Sequence, residues 1–207
     1  SGNIGVPSLG LSLKLVPNNG KLEARLKGPS ITLGYYCDPV KTAEAFDDEG
    51  YYKLGDALRP ADPKDFSKGF FFDGRIAENF KLNTGTWVAV GALRAKLVDQ
   101  LGGLIRDAVI VGENAPQLGA LLWLSDRASA MPPTARDTAL RARLDAFAAS
   151  ATGSASRVMR AAIMETAPSL DEGEITEKGS LNQRAMRTHN EALIARLYAA
   201  TEGPLIL

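Results

Sequence analysis

The sequence has one cysteine, one histidine and no surplus of charge of either sign. The single cysteine, Cys37, excludes an intrachain disulfide and a cysteine metal cluster. The single histidine, His189, has no second histidine or cysteine with which to form a zinc site, so we interpret it as a surface residue and expect no metal ligands among the residues of this sequence. Basic and acidic residues number 24 each, and this balance predicts no nucleic-acid partner.

Long hydrophobic runs are also missing. The longest apolar stretches, such as residues 119–124, fall far short of the roughly 20 residues that a membrane-spanning helix needs. The first ten residues carry neither the basic start nor the apolar core of a signal peptide. We therefore expect a cytoplasmic protein with no membrane partner. A G-x-S-x-G nucleophile elbow is absent too, which argues against a serine hydrolase.

The first 76 residues have the pattern of a β-rich region. Apolar and polar side chains alternate over residues 11–16 and 22–27, on either side of a Pro-Asn-Asn-Gly turn, and this predicts a β-hairpin. A short helix is expected to start near Pro39. A strand is expected to end at Gly55-Asp56, where the glycine lets a ligand approach the backbone and the carboxylate can accept hydrogen bonds.

The composition shifts towards alanine, leucine and other helix-forming residues after residue 76. Apolar residues at helical spacing predict four helices. They cover residues 90–101 with a stop at Gly102-Gly103, a segment from a cap at Thr134 to Ala148, a segment after Gly153-Ser154 with inward positions at 158–163, and residues 182–200 with Met186 inward. The inward residues of the first helix are expected to be Val90, Leu93, Leu97 and Leu101. Continuous apolar runs predict two buried strands, at residues 104–112 and 119–124. The chain as a whole is therefore expected to have a mixed α+β fold.

Three blocks occur in an order that carries information about function: GYYCDPVKTAEAF at residues 34–46, YKLGD at 52–56 and GRIAE at 74–78. They resemble the G-Y-x-x-x-P-x-x-T-x-x-x-F, Y-x-T-G-D and G-R-x-x-[DE] segments of the adenylate-forming acid–CoA ligase superfamily. Leu54 stands where that family has threonine, so one hydroxyl contact is missing. The resemblance implies that residues 1–76 are the β-rich end of a large adenylation domain and that residues 77–207 form a small, mobile α/β lid.

The resemblance also implies roles for individual residues. Asp56 and Arg75 would bind the ribose of ATP, and Ala77 would be the hinge. Thr84 and Gly85 would lie beside the tunnel for the pantetheine of CoA. Lys81 would face the active site in the second of two lid orientations.

A second lysine belongs to the block GEITEKGSLNQ at residues 173–183. Together with residues 74–88, this block resembles the feruloyl-CoA synthetase branch of the superfamily, and the resemblance implies that Lys178 swings over the nucleotide. A mobile ammonium between an attacking carboxylate and the α-phosphate would stabilise the transition state without transferring a proton.

Several superfamily motifs are absent from the sequence. The T-S-G-T-T-G-type phosphate loop, the T-E block that contacts Mg²⁺ and the acyl pocket would all lie upstream. We therefore expect a C-terminal fragment, inactive alone, of an enzyme that uses ATP, Mg²⁺ and CoA to convert a hydroxycinnamate such as ferulate into its thioester. A ligase for another aryl or fatty acid, and a free-standing lid-like binding module without catalysis, remain alternatives.

Overall fold

The computed structural model describes residues 2–18 and 20–201. The chain divides into two compact units, Ser1–Ala77 and Glu78–Leu207. No helix within the described ranges is long and apolar enough to cross a membrane. The combination of helices and sheets confirms the predicted α+β class.

The predicted β-hairpin is present in the first unit. Strands β2 (Ser12–Asn18) and β3 (Lys21–Lys27) pair antiparallel, with Leu15 opposite Ala24. Ala24 is fully buried, as the alternating pattern requires. The hairpin is confirmed, although Asn19 of its turn lies outside the described residues.

The hairpin belongs to a five-stranded sheet with the order β1-β5-β4-β3-β2. The remaining strands are β1 (Asn3–Gly5), β4 (Tyr52–Pro60) and β5 (Phe70–Arg75). Helix α1 (Pro39–Ala45) begins at the predicted proline, whose fixed φ suits the first helical turn. The side chain of Asp38 caps this helix by accepting a hydrogen bond from Lys41 N at 2.9 Å.

A group of charged side chains beside this sheet is centred on Asp47. Its carboxylate lies 2.7 Å from Lys14 Nζ and 3.0 Å from Arg25 Nη1, and it accepts a hydrogen bond from Tyr51 N at 2.9 Å. These donors, Lys14 foremost, hold the pKa of Asp47 well below its usual range. Folding therefore favours the ionised form of this carboxyl group.

We expect Asp47→Asn to destabilise the first unit at pH 7 and to have less effect in acid. Because the folded-state pKa of Asp47 lies below the unfolded value of about 3.9, its stabilising contribution is complete above that pH and disappears as the pH falls further. Urea unfolding followed by circular dichroism at pH 7 and pH 3 measures the change. The exposed neighbour Asp48, changed to asparagine, is the matched control. A difference from wild type that stays constant with pH would contradict the assignment.

The second unit has a three-stranded sheet with the order β10-β9-β8. Strands β8 (Ile105–Val111) and β9 (Leu118–Leu124) form an antiparallel hairpin and confirm the two predicted buried strands. Strand β10 (Val158–Ile163) pairs parallel to β9, so the chain crosses over between them through helices α3 (Asp126–Ser129) and α4 (Pro133–Ser150).

Helix α2 (Val90–Leu101) is confirmed as predicted, and Gly102 ends it in a left-handed conformation with a φ of +38°. The four residues of its predicted apolar stripe are all buried: Val90, Leu93, Leu97 and Leu101. Arg94 on the same helix forms a two-pronged ion pair with Asp107 of β8. The helix is therefore attached to the sheet by both apolar packing and a charged pair.

The core of the second unit lies on both faces of the sheet. Leu122 packs into a cluster with the leucines of α2 and α4, whereas Leu121 packs into a second cluster with Met186 and Leu197. Met186 belongs to helix α5 (Gln183–His189) and Leu197 to helix α6 (Glu191–Ala199). The central strand is thus covered on both sides, which explains its continuous apolar sequence.

Three predictions of local structure in the second unit are wrong. Residues 158–163 form β10 rather than a helix, because β9 offers an unpaired edge and a short apolar run is compatible with either structure. Thr134 does not cap α4, which begins at Pro133. The predicted last helix is two helices, since the backbone leaves helical geometry at Asn190 (φ −107°, ψ 23°).

Candidate functional site

Asp56 and Arg75 are brought together by the sheet of the first unit. They are register partners on the adjacent strands β4 and β5, and Arg75 Nε lies 3.7 Å from Asp56 Oδ1. The arginine side chain is 69% exposed and the aspartate side chain 35%. Both groups can therefore contact a ligand while they face each other.

The strand that carries Asp56 does not end there, contrary to the sequence prediction. Strand β4 continues to Pro60, and its pairing with β5 shifts register between Asp56 and Leu58. Gly55, directly before the shift, has a φ of +71°, a backbone conformation that side-chain-bearing residues rarely adopt. Gly55 lies where β4 also uses more residues, from Lys53 to Ala57, than β3 does opposite it. The glycine is therefore part of a bulged stretch inside a continuing strand, and bulges redirect the side chains beside them.

The surroundings of Asp56 affect its charge in opposite directions. Burial raises the pKa of its carboxyl group, and the nearby Arg75 guanidinium opposes that shift. The arginine therefore helps to keep the aspartate ionised. An ionised carboxylate is an acceptor only, which suits it to bind two hydroxyl groups.

Lys81, Thr84 and Gly85 lie on one small hairpin of the second unit, formed by strands β6 (Phe80–Lys81) and β7 (Trp87–Val88). Gly85 has a φ of +80°, and a Cβ built on it would meet nothing within 4 Å. The glycine is required by the turn, and the space beside it is open. Lys81 Nζ lies 4.6 Å from the centre of the Trp87 ring, a distance typical of a cation–π contact.

Ala77 lies in a single 3₁₀ turn, Ile76–Glu78, and is exposed. The division between the two units falls directly after it. Ile76, the residue before it, is buried. The hinge role of Ala77 stays a prediction.

Lys178 lies in a tight turn of the second unit. Thr176 N donates to Ser180 O at 2.9 Å, and Gly179 N donates to Thr176 O at 2.8 Å. Lys178 itself is exposed, and within the described ranges no carboxylate lies within salt-bridge distance of its ammonium. The backbone around the lysine is therefore held by hydrogen bonds, and its charge remains available.

Two features near this turn escaped the sequence interpretation. His189 is exposed, as interpreted, but its Nδ1 also lies 3.0 Å from Oε1 of the buried Glu174, a contact that the sequence did not indicate. Gln183 is completely buried, although glutamine is normally exposed. A helical wheel would have indicated its position, since Gln183 precedes the predicted core residue Met186 by three residues.

A group of possible metal ligands also lies here. Glu172, Glu174 and His189 place their ligand atoms within 4.8 Å of one another. Both carboxylate oxygens of Glu174 already have partners, however, because Oε2 accepts a hydrogen bond from Ser169 N at 2.8 Å and Oε1 faces His189. We assign no metal to this group.

A cleft of about 520 Å³ beside Arg106 and Trp123 is lined by none of the predicted site residues. Arg106 in this cleft pairs with Asp126 at 2.5 Å and lies over the Trp123 ring. The arginine charge is therefore neutralised locally, and the cleft is not an evident anion site.

Comparison with known proteins identifies the second unit. Residues 82–202, more than half of the chain, match the family model described as the AMP-binding enzyme C-terminal domain. The chain is 28% identical over 198 residues to a carboxylic acid reductase of Mycobacterium marinum, covering 94% of this chain and 16% of the reductase. It is 32% identical over 127 residues to a long-chain-fatty-acid–CoA ligase of Mycobacterium tuberculosis, covering 61% of this chain and 20% of the ligase.

The fold is shared with a solved structure. The adenylation domain of a carboxylic acid reductase from Segniliparus rugosus, in complex with AMP and a co-purified carboxylic acid, matches with a TM-score of 0.78 at 22% identity. The match covers 95% of this chain and 33% of that domain, so the present chain spans only a minor part of its relatives. The chain belongs to the family of AMP-binding enzyme C-terminal domains.

Proposed function

We propose that this chain is the C-terminal part of an ATP-dependent, AMP-forming acid ligase. The enzyme would convert a carboxylic acid and ATP into an acyl-adenylate and pyrophosphate, and would then transfer the acyl group to the thiol of CoA with release of AMP. The observation that carries the proposal is the pairing of Asp56 with Arg75, 3.7 Å apart, in the unit that directly precedes the family's C-terminal domain.

Asp56 and Arg75 would hold the ribose of the nucleotide. The aspartate would accept hydrogen bonds from both ribose hydroxyl groups, and the arginine would donate to a ribose oxygen from its forked guanidinium. Gly55 supports this role, because it has no side chain where the nucleotide would approach the backbone, and a Cβ built on it would meet nothing within 4 Å.

Lys178 would act in the first half-reaction, which forms the acyl-adenylate. The hairpin that carries Lys81 would act in the second half-reaction, which forms the thioester. In the first, the Lys178 ammonium would bridge the attacking carboxylate and the α-phosphate. Rotation of the second unit about Ala77 would then withdraw Lys178 and present Thr84 and Gly85 to the pantetheine of CoA. The open space beside Gly85 suits the close approach of an extended chain.

Membership of the family supports a carboxylic acid as the substrate and no narrower class. A hydroxycinnamate such as ferulate is our specific candidate, and it rests on the resemblance of residues 74–88 and 173–183 alone. The similarity to the ligase of Mycobacterium tuberculosis, which is named for long-chain fatty acids, fits a fatty acid equally well. The acyl pocket would be formed by an N-terminal domain.

The surface of the first unit supports such a missing partner domain. A groove of about 550 Å³ on this unit is lined by apolar residues that include Leu13, Leu22 and Phe70. Leu33 and Tyr36 are 98% and 96% exposed. Large apolar side chains in such number are unusual on a free surface and indicate contact with further protein. Because the motifs for phosphate and Mg²⁺ would lie in the same domain, we propose that it holds the metal.

The direct test restores the native upstream region and measures AMP and CoA-thioester formation with ATP, CoA and Mg²⁺. Ferulate, an unsubstituted aryl acid and palmitate are offered separately, and the chain of 207 residues is assayed in parallel. We expect activity only in the restored protein, with the preferred acid identifying the substrate class. A folded restored protein that forms no AMP with any of these acids would favour the non-catalytic lid-like module.

A further inference from the structure

The second unit contains a buried side chain that ties the Lys178 turn to the sheet. Strand β8 is the edge strand, so part of its backbone lacks a neighbouring strand. Gln183 supplies the missing partners: its Oε1 accepts a hydrogen bond from Ile110 N at 3.0 Å, and its Nε2 donates to Ala108 O at 2.9 Å. The side-chain amide therefore bonds to β8 as the N–H and C=O of one residue on a parallel neighbouring strand would.

The residue before Gln183 closes the base of the lysine turn. Asn182 N donates to Glu174 O at 2.8 Å, and Asn182 Nδ2 donates to Gly173 O at 3.1 Å. Above this base, Ile175 and Leu181 form an isolated β-bridge. Thr176 N donates to Ser180 O, and Ser180 N donates to the Thr176 hydroxyl, so the pairing continues to the tip. An unbroken series of backbone contacts thus connects Gln183 to the lysine.

We propose that Gln183 is a positioning residue for Lys178, a role that rests on the proposed function of that lysine. The turn can carry the ammonium to a defined place only if its base is fixed to the rigid part of the unit. Gln183 provides that attachment through an amide that is 0% exposed and therefore shielded from competing water. Small displacements of a reacting group reduce rates steeply, and a shift of 1 Å can cost about a hundredfold.

The amide chemistry makes the proposal specific. Glutamine offers one acceptor and one donor, which match Ile110 N and Ala108 O. Glutamate keeps the size, but it places a second acceptor oxygen against the carbonyl oxygen of Ala108, where glutamine has a donor. Methionine keeps the approximate shape and offers neither hydrogen bond of comparable strength. Both variants should loosen the base of the turn without altering Lys178.

The test uses the enzyme with its native upstream region and compares Gln183→Glu and Gln183→Met with wild type. Adenylation is measured as ATP–pyrophosphate exchange, and thioester formation is measured from supplied acyl-adenylate. We expect adenylation to fall at least about tenfold and thioester formation to change less than about twofold. Tyr198→Phe is the matched control, because it removes a partly buried hydrogen bond to Gln117 O in the same unit without touching the turn. Equal loss of both half-reactions, or no loss of adenylation, would overturn the proposal.

Hydrogen exchange separates a failure of this proposal from a failure of the proposed function. The backbone amides of Thr176, Gly179 and Asn182 are hydrogen-bonded within the turn. They should exchange faster in Gln183→Met than in wild type and in Tyr198→Phe. Unchanged exchange would overturn the attachment whether or not the enzyme is active. If exchange is faster in Gln183→Met but Lys178→Ala leaves the adenylation rate unchanged, the attachment is supported and the catalytic role of Lys178 is refuted instead.

Discussion

Under the proposed function, Lys178→Ala in the protein with its native upstream region is expected to slow adenylation by about 10²- to 10³-fold, the range seen when a single group that stabilises transition-state charge is removed. The lysine lies in a turn whose backbone is hydrogen-bonded, and its ammonium is exposed. Its charge would meet the carboxylate and the α-phosphate only while the second unit is closed. Thioester formation from supplied acyl-adenylate should therefore continue at nearly the wild-type rate.

The measurement is the ratio of the two half-reactions in the variant and in wild type. Lys96→Ala is the matched control, because Lys96 is an exposed lysine on α2 of the same unit. It should leave both half-reactions unchanged. If Lys178→Ala reduced both half-reactions equally, the role in adenylation would be refuted and a structural role would remain.

Leu121→Ala is expected to lower the free energy of unfolding of the second unit by about 2–5 kcal/mol. Leu121 is fully buried on the central strand β9, and it packs with Met186 and Leu197. Truncation would lose the apolar burial and leave a cavity between the sheet and the two C-terminal helices. Moving the strand to fill this cavity would disrupt packing on its opposite face, because that face is also covered.

Urea unfolding followed by tryptophan fluorescence measures this loss. The two tryptophans of the chain, Trp87 and Trp123, both lie in the second unit, so their emission reports on that unit. Leu170→Ala is the control: Leu170 is 54% exposed, and its truncation should cost less than about 0.5 kcal/mol. Similar losses for both variants would show that the strand is not the core of the unit.

Local patterns predicted much of the fold correctly. Helix α2 was predicted with its four inward residues and its stop at Gly102, because each helical signal lies within a dozen consecutive residues. The hairpin of β2 and β3 and the strands β8 and β9 were predicted for the same reason. Where one short segment contains the whole signal, the sequence alone is sufficient.

The errors occur where a distant partner decides the structure. Val158–Ile163 becomes a strand because β9 accepts it, and that strand lies about 40 residues earlier in the chain. The strand through Asp56 continues because β5 pairs with it beyond the bulge. Local propensity contains no information on either pairing.

In the candidate site too, local motifs were predicted from the sequence and long-range contacts were not. Asp56 and Arg75 were selected by motif, and the sheet places them 3.7 Å apart. Gln183 belongs to the quoted block, but its attachment to Ala108 and Ile110 spans more than 70 residues and could not be anticipated. Motifs indicate residues that would touch a ligand, whereas the residues that support them are found only in the folded structure.

The parallel pairing of β9 with β10 makes the second unit sensitive to where the chain is cut. The hairpin of β8 and β9 is local, but β10 reaches the sheet only after α3 and α4. A chain truncated within α4 would keep the hairpin and lose β10. The free edge of β9 would then combine unpaired backbone groups with the apolar side chains of Leu121 and Leu122, a combination that favours edge-to-edge aggregation. Soluble expression of shortened versions therefore requires that β10 be retained.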